Sequence, residues 1–434
     1  MTDVPRRAVA PVPPFPAGSA VALASTVVVC VSLHPFQSLA SSSTIELSSG
    51  GETATYLLLA AFAAASVLLA RRRFMLARRA LLPWPLVGLM GWLALSCVAS
   101  PDPVTSAKRL VLAGLMAVLG ASLVLLPRTS EGLAGILGLA AGLVLFLSYA
   151  GVVVVPDLAV HQITDVGEPA LAGAWRGVFA HKNDAAGVMS LFLLQGLFVA
   201  RRGFAPLGWA VMAGAAVFLL FAGGKSALAL VVVTLATSHL WSIMPPRWPR
   251  VAVIFAPVLV LNLVGLGSVL LPPVGAVVKA LPVDATFTGR DAIWTLAVGE
   301  MPGHLVLGHG FDGFWNTEAT RFGGEDDSWA GTAAHAHNSF LDIVVSAGLP
   351  GLALLLLAFV RQPLRDLAAA TDRGADPGLL MLFMRTWLFC LYLSAFETIF
   401  FHRDDPLWLF FLASIAGLRI AATFPLRDTP RGAT

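Results

Sequence analysis

Charge is what this sequence has least of. Only 12% of its 434 residues are Asp, Glu, Lys or Arg, against about 25% in a soluble domain. A chain this long cannot cover a water-facing surface with so few charges, so a soluble enzyme, a disordered chain and a nucleic-acid binder are excluded. Cysteine is nearly as scarce. Cys30, Cys97 and Cys390 all fall inside apolar runs, which argues against a disulfide framework or a cysteine-ligated metal and for small core residues. Strict alternation of apolar and polar residues is also missing, and with it the signature of an outer-membrane barrel.

What is present is apolar length. Hydrophobic residues make up 57% of the chain and its mean hydropathy is +0.81. Runs long enough to cross a bilayer as helices fall near residues 18–33, 53–70, 81–99, 110–126, 133–155, 186–200, 205–221, 226–242, 251–271, 340–360, 379–400 and 407–422. The expected fold class is therefore an all-α polytopic membrane protein of about twelve spans. It is read as one integral membrane domain over residues 1–434, with residues 272–339 as a large loop region.

Placement of Lys and Arg sets the expected orientation. With both termini cytoplasmic, inside segments carry 17 basic residues, among them the run Arg71, Arg72, Arg73, Arg78 and Arg79. Outside segments carry nine, including Lys108, Arg109, Arg176, Lys182, Lys225, Arg290 and Arg403. Arg6, Arg7, the following apolar stretch and Ser38-Leu39-Ala40 before Ser41 also fit a cleavable signal peptide, which leaves eleven spans without inverting the rest. Two outside segments are long, about 156–185 and 272–339. The second is rich in aromatics, unlike a disordered linker, and Ile293, Leu296, Ala297 and Met301 follow helical spacing. It predicts an amphipathic helix that lies on the outer membrane face or caps the bundle.

Basic and imidazole side chains gather at expected helix starts on that outer side. They are His181 and Lys182 before the sixth span, Lys225 after Gly223-Gly224, Arg290 after Gly289, and His335 and His337 before the tenth span. A helix N-terminus attracts anions, so cations there suit a site where an anion comes to rest. Taken singly, each has a plainer reading: Lys182 and Lys225 reaching to lipid headgroups, Arg290 anchoring an interfacial helix. His335 and His337 form a His-x-His pair without a third ligand at a set spacing, so no metal is expected. Glu397 sits near the outer end of the eleventh span, where water can reach it, and Glu325-Asp326-Asp327 reads as a solvated loop face.

The order of short motifs resembles the O-antigen ligase/polymerase superfamily of bacterial membrane glycosyltransferases. The matching pieces are Phe179-Ala-His-Lys-Asn183, Gly224-Lys-Ser-Ala-Leu228, Gly289-Arg-Asp-Ala-Ile-Trp294, Gly308-His-Gly310, His337-Asn-Ser-Phe-Leu341 and Gly348-Leu-Pro-Gly351. They span about residues 90–360 with their surroundings, and the His-Lys-Asn segment is more similar to the exopolysaccharide-production branch than to lipid A–core ligases. Where the family usually has Arg this chain has Lys225, a point charge in place of a bidentate fork.

The resemblance implies a fold of the lipid-carrier glycosyltransferase type C and a metal-independent, inverting reaction without a cofactor. The donor is an undecaprenyl-pyrophosphate-linked oligosaccharide, and the acceptor is a glycan or lipid A–core. A chain-length regulator is a candidate partner, and the site faces the periplasm from the inner membrane. His337 takes the role of base. Arg290, Lys225 and Lys182 take the pyrophosphate, with His181, Asn183, His335 and Asn338 in support. Two other classes also suit twelve spans. A transporter of polysaccharide or lipid-linked sugar has a midplane site and broken helices, for which Gly348-Leu-Pro-Gly351 is the best argument. A scaffold in envelope assembly is the other.

Overall fold

The computed structural model describes residues 16–32, 35–39, 49–165, 168–245, 248–282, 284–315, 333–403 and 405–424. Arg6, Arg7, Ser41, the Glu325-Asp326-Asp327 run, Arg427 and Arg431 lie outside the described residues, and with them most of the signal-peptide reading.

The chain begins with α1 (Ala17–Val31), α2 (Ser49–Leu69), α3 (Arg71–Leu81), α4 (Trp84–Ser96), α5 (Pro103–Leu125) and α6 (Ser130–Val154). A short α7 (Pro156–Ala159) leads through a loop to α8 (Lys182–Arg201), α9 (Ala205–Ala222), α10 (Lys225–Ile243) and α11 (Trp248–Val264). Next come the short α12 (Leu266–Leu270) and α13 (Pro272–Ala280), then α14 (Arg290–Gly299) and α15 (Ser339–Leu356). The last three are α16 (Gln362–Asp372), α17 (Pro377–Leu393) and α18 (Pro406–Thr423). Among the described residues the elements are helical, and Val160 and Trp175 form an isolated antiparallel bridge.

Seven of these helices are long and apolar enough to cross a membrane, eight if the bent pair α2–α3 is one span; α1, α4, α11 and α17 are shorter apolar helices. The protein is thus a multi-pass membrane protein. Leu57, Leu68, Phe146, Val154 and Trp209 are more than half exposed, as expected of side chains that face lipid.

Local chemistry explains the boundaries. Three helices open with Asp-Pro: Asp102, Asp376 and Asp405 each accept an N-cap hydrogen bond, from the amides of Thr105, Leu379 and Trp408. The proline that follows fills a first-turn position whose N–H has no helical partner. Small residues let helices close up. A Cβ on Gly208 of α9 would lie 2.4 Å from the backbone nitrogen of Ala200 in α8, the close approach that packs membrane helices. At the centre, α17 and α18 bury Trp387, Phe389, Trp408 and Phe411 almost completely.

Several expected boundaries move, among them the start of α5, at Pro103 instead of near residue 110, and the end of the ninth span, at Val264 instead of near residue 271. The Arg71–Arg79 run is helix, turned 103° from α2, rather than loop. The tenth span runs on past residue 360 through a π-turn (Leu357–Arg361) into α16, and it breaks at Gly348, whose φ is 68°. The eleventh span ends at Leu393, so Glu397 stands in the loop after α17 instead of within a helix.

The two ends of the bundle differ. At one end arginines hold structure: Arg73 donates to Leu125 O and Pro127 O, Arg202 pairs with Asp376, and Arg419 pairs with Asp366 at 2.7 Å. The starts of α5, α8, α10, α14 and α15 meet at the other end, where the loop after α17 also lies.

Candidate functional site

The site is built around the segment His337-Asn-Ser-Phe-Leu-Asp342. Asn338 is the N-cap of α15, its side-chain oxygen accepting from the amides of Phe340 and Leu341 at 3.0 Å. Its amide nitrogen donates to Ala395 O and to Asn262 Oδ1. Ser339 Oγ donates to Glu397 O at 3.0 Å and accepts from the amide of Ile399 at 2.8 Å. Asp342 accepts from Trp315 Nε1, the Ala336 amide and Thr398 Oγ1. Three successive polar side chains of one motif therefore pin the loop after α17 against the start of α15. His337, at φ 49°, adopts the left-handed backbone that turns its ring toward that loop.

The residue it meets is Glu397. His337 Nδ1 lies 2.9 Å from Glu397 Oε2, Arg290 Nη2 donates to Oε1 at 2.5 Å, and Asn183 Nδ2 donates to Oε1 at 3.1 Å. The side chains of Arg290 and Glu397 are 15% and 18% exposed, so the pair is largely shielded from screening. Burial pushes the Glu397 carboxyl up. The Arg290 charge, the hydrogen bond and charge of His337, and His181 outweigh it and hold the carboxyl below its ordinary value. Glu397 is thus an anion that only accepts, which puts the proton of neutral His337 on Nδ1 and leaves Nε2 with its lone pair.

Asn183 is positioned by two imidazoles. His181 is the N-cap of α8, with Nδ1 accepting from the Asn183 amide at 3.1 Å, and His161 Nε2 accepts from the Lys182 amide at 3.2 Å. Each ring is oriented from behind by a carboxylate: His181 Nε2 to Glu168 and His161 Nδ1 to Asp165, both at 2.9 Å. For His181, burial pushes the pKa down, but the Glu168 hydrogen bond and charge raise it overall.

The expected residues are thus partly assembled. Arg290, His337 and Asn183 converge on Glu397, Asn338 holds the same loop through Ala395 O, and His181 acts one step behind. The His335 ring sits 4.1 Å from that of His337, with Nδ1 accepting the His337 amide at 3.3 Å. Burial first, then the neighbouring His337, His402 and Arg290, push the His335 pKa well below its ordinary value. Lys225 is exposed at the first position of α10 and Lys182 is half-buried. Their side chains do not join the cluster. Gly224 packs on Ala186, which brings Lys225 to the first turns of α8. Arg176 is fully buried and donates to Gln37 O and Ala180 O, a structural rivet.

The predicted amphipathic helix is α14. It caps the bundle, burying Ile293, Trp294 and Ala297, with Trp294 Nε1 donating to Ala336 O. Glu397 is the residue that sequence reasoning undervalued. An ionisable group in an apolar run was the available signal. Among the described residues, no three His, Cys, Asp or Glu side chains converge in a metal-holding group.

Fold and site together define a polytopic membrane protein with an imidazole–carboxylate–guanidinium cluster at one end of its bundle. Residues 209–356 match the family model described as O-antigen ligase, a stretch that holds Lys225, Arg290, His335 and His337. Over 113 residues the chain is 29% identical to the "Exopolysaccharide production protein ExoQ" of Rhizobium meliloti (strain 1021). That match covers 25% of this chain and 26% of the relative, so the chain spans about a quarter of the length of the curated relative it matches. These similarities support the O-antigen ligase superfamily, in its exopolysaccharide branch.

Proposed function

We propose that the protein is a metal-independent, inverting glycosyltransferase that moves a glycan from an undecaprenyl-pyrophosphate carrier to a sugar hydroxyl, as an exopolysaccharide repeat-unit polymerase. In this reading the chain crosses the inner membrane about twelve times in a type C arrangement, with cytoplasmic termini and a periplasm-facing site. The observation that carries the reading is the shared carboxylate: Glu397 fixes the tautomer of His337 and the position of Arg290 at once.

His337 Nε2 takes the proton of the acceptor hydroxyl as its oxygen forms a bond to the anomeric carbon. The bond from that carbon to the diphosphate oxygen breaks, and its electron pair leaves with the diphosphate. Arg290 donates to this oxygen-rich leaving group through its remaining N–H groups, while Lys225 and Lys182 supply point charges from neighbouring helix starts. No strong acid is needed, because diphosphate departs as a stable anion. A ligase acting on lipid A–core or another acceptor needs the same chemistry. The Gly348 break, which suits a transporter, is occupied by the protein itself: the Leu349 amide donates to Leu305 O at 2.8 Å.

The test is transfer by the purified chain in nanodiscs, with an undecaprenyl-pyrophosphate oligosaccharide as donor. His337→Ala is expected to abolish transfer while folding and donor binding persist, and wild-type activity is expected to survive EDTA. Near-normal transfer by His337→Ala, or a loss with EDTA that zinc restores, overturns the reading. In cells lacking the protein, single repeats on the carrier mark a lost polymerase and long carrier-linked chains a lost ligase.

A further inference from the structure

Next to the Glu397 cluster lies a cavity of about 490 Å³, within the range of small-molecule sites. Its wall includes Tyr56 of α2, Arg109 of α5, Asp312 and Trp315 of the loop after α14, Arg403 of the loop after α17, and His335. His335 is the link: its ring forms part of the wall and lies 4.1 Å from the ring of His337. The cavity therefore ends one imidazole short of the base, whereas Arg290 and Lys225 do not line it.

The lining has a definite chemistry. Trp315 has its N–H committed to Asp342 Oδ1 at 2.8 Å, so it offers the cavity ring surface. Tyr56 adds a second aromatic ring to the wall. Arg109 Nη1 meets Asp312 twice, at 2.6 Å to O and 3.0 Å to Oδ2, and Arg403 Nε stands 3.6 Å from the same Oδ2. Arg403 keeps 40% of its side chain exposed. A lipid tail here would strip water from this charged trio without replacing its hydrogen bonds. A diphosphate would meet the Asp312 carboxylate.

A saccharide ring fits both halves of the lining. Its C–H faces lie on aromatic rings, and its hydroxyls donate to a carboxylate and accept from guanidinium groups. We propose that this cavity is the acceptor subsite, holding the saccharide residue whose hydroxyl is presented past His335 to His337. The assignment to acceptor rather than donor rests on the glycosyltransferase reading; the assignment to a saccharide rests on the cavity itself.

The full chain in nanodiscs is titrated with oligosaccharides released by mild acid from the host cell's own exopolysaccharide, and bound probe is read by calorimetry. Tyr56→Leu and Arg403→Gln are each expected to raise the probe's dissociation constant about tenfold, the effect of losing one good contact. In turnover assays they are expected to raise the acceptor KM similarly, with donor KM and kcat changed by less than about twofold. His337→Ala is expected to bind the probe as wild type does. Equal probe binding by wild type and both variants overturns the saccharide site, and a shift in donor KM with acceptor KM fixed overturns its assignment to the acceptor. Should wild type bind the probe through Tyr56 and Arg403 yet transfer nothing from the lipid-linked donor, the saccharide site stands and the transferase reading falls.

Discussion

Replacing Glu397 by Gln removes one charge and no volume, and the structure says what the amide must do. Arg290 and Asn183 both donate to Oε1, and a guanidinium can only donate. The Gln oxygen must therefore stay on their side, which turns the Gln NH₂ toward His337 Nδ1. Nδ1 then has to accept, so the imidazole proton moves to Nε2 and the lone pair needed for the acceptor hydroxyl is gone. The expected loss in kcat is the general-base contribution, about 10²–10⁴-fold, equivalent to roughly 2.7–5.5 kcal/mol of barrier. The Arg290 charge also loses its counter-ion in a largely buried setting, and breaking such a pair costs up to about 3–5 kcal/mol of stability. Thermal unfolding in nanodiscs measures that separately, and single-turnover transfer from a lipid-linked donor measures the chemistry. A folded Glu397→Gln variant that transfers within about threefold of wild type, far short of the expected range, would refute the tautomer argument.

Three further outcomes are expected, two from this geometry and one from the placement of Lys and Arg in the sequence. Arg290→Ala and Lys225→Ala are expected to weaken use of the lipid-diphosphate donor by up to a few kcal/mol each, with Lys225→Arg closer to wild type; donor titrations check this, and equal activity in all variants leaves Lys225 a lipid anchor and Arg290 a partner of Glu397 alone. Because burial keeps His335 neutral in the folded protein, the unfolded chain binds a proton that the folded one does not. Stability should therefore fall as pH drops below the ordinary histidine value of about 6.5, by at most about 1.4 kcal/mol per pH unit, until the folded pKa is reached. Melting in nanodiscs across pH 7.5 to 5, with His335→Asn flattening the slope, tests this. Cysteines at Ser328 and Thr371 are expected to label from opposite sides of the inner membrane; modification of Ser328→Cys only after permeabilisation inverts the orientation.

The helices were legible because an apolar run has one stable backbone in lipid, and the Gly223-Gly224 turn marked one of their ends, whereas the Asp102-Pro103 start of α5 lies ahead of the expected residue 110. The spacing of Ile293 and Ala297 also marked α14 as an amphipathic helix, on the outer membrane face or capping the bundle, and the fold decides for the cap. The gathering of Arg290, Asn183 and His337 was legible only as membership in one set of helix starts. What held them together was not. Glu397 follows a run of apolar residues that reads as continuous helix, and no local pattern shows that Ser394 ends it; the termination depends on Ser339 and Asn338, more than fifty residues earlier. The cations were expected to await an outside anion, and one of them already holds an internal carboxylate. His161 was passed over because its contact with Lys182 joins residues that only the folded chain brings together.

The glycine break in α15 bears on where the protein can breathe. A Cβ on Gly348 would lie 2.1 Å from Val306 O, one on Gly308 2.4 Å from Ser346 C, and one on Gly310 2.3 Å from Ser100 Cα. Backbone is thus interlocked with backbone at three successive points, laced by His309 N to Val345 O and Leu349 N to Leu305 O, both 2.8 Å. Such a seam has no side chains to swing aside, so it opens only when the surrounding bundle comes apart. The amides of His309 and Leu349 should accordingly exchange with deuterium at the slow, global limit rather than through local fluctuation.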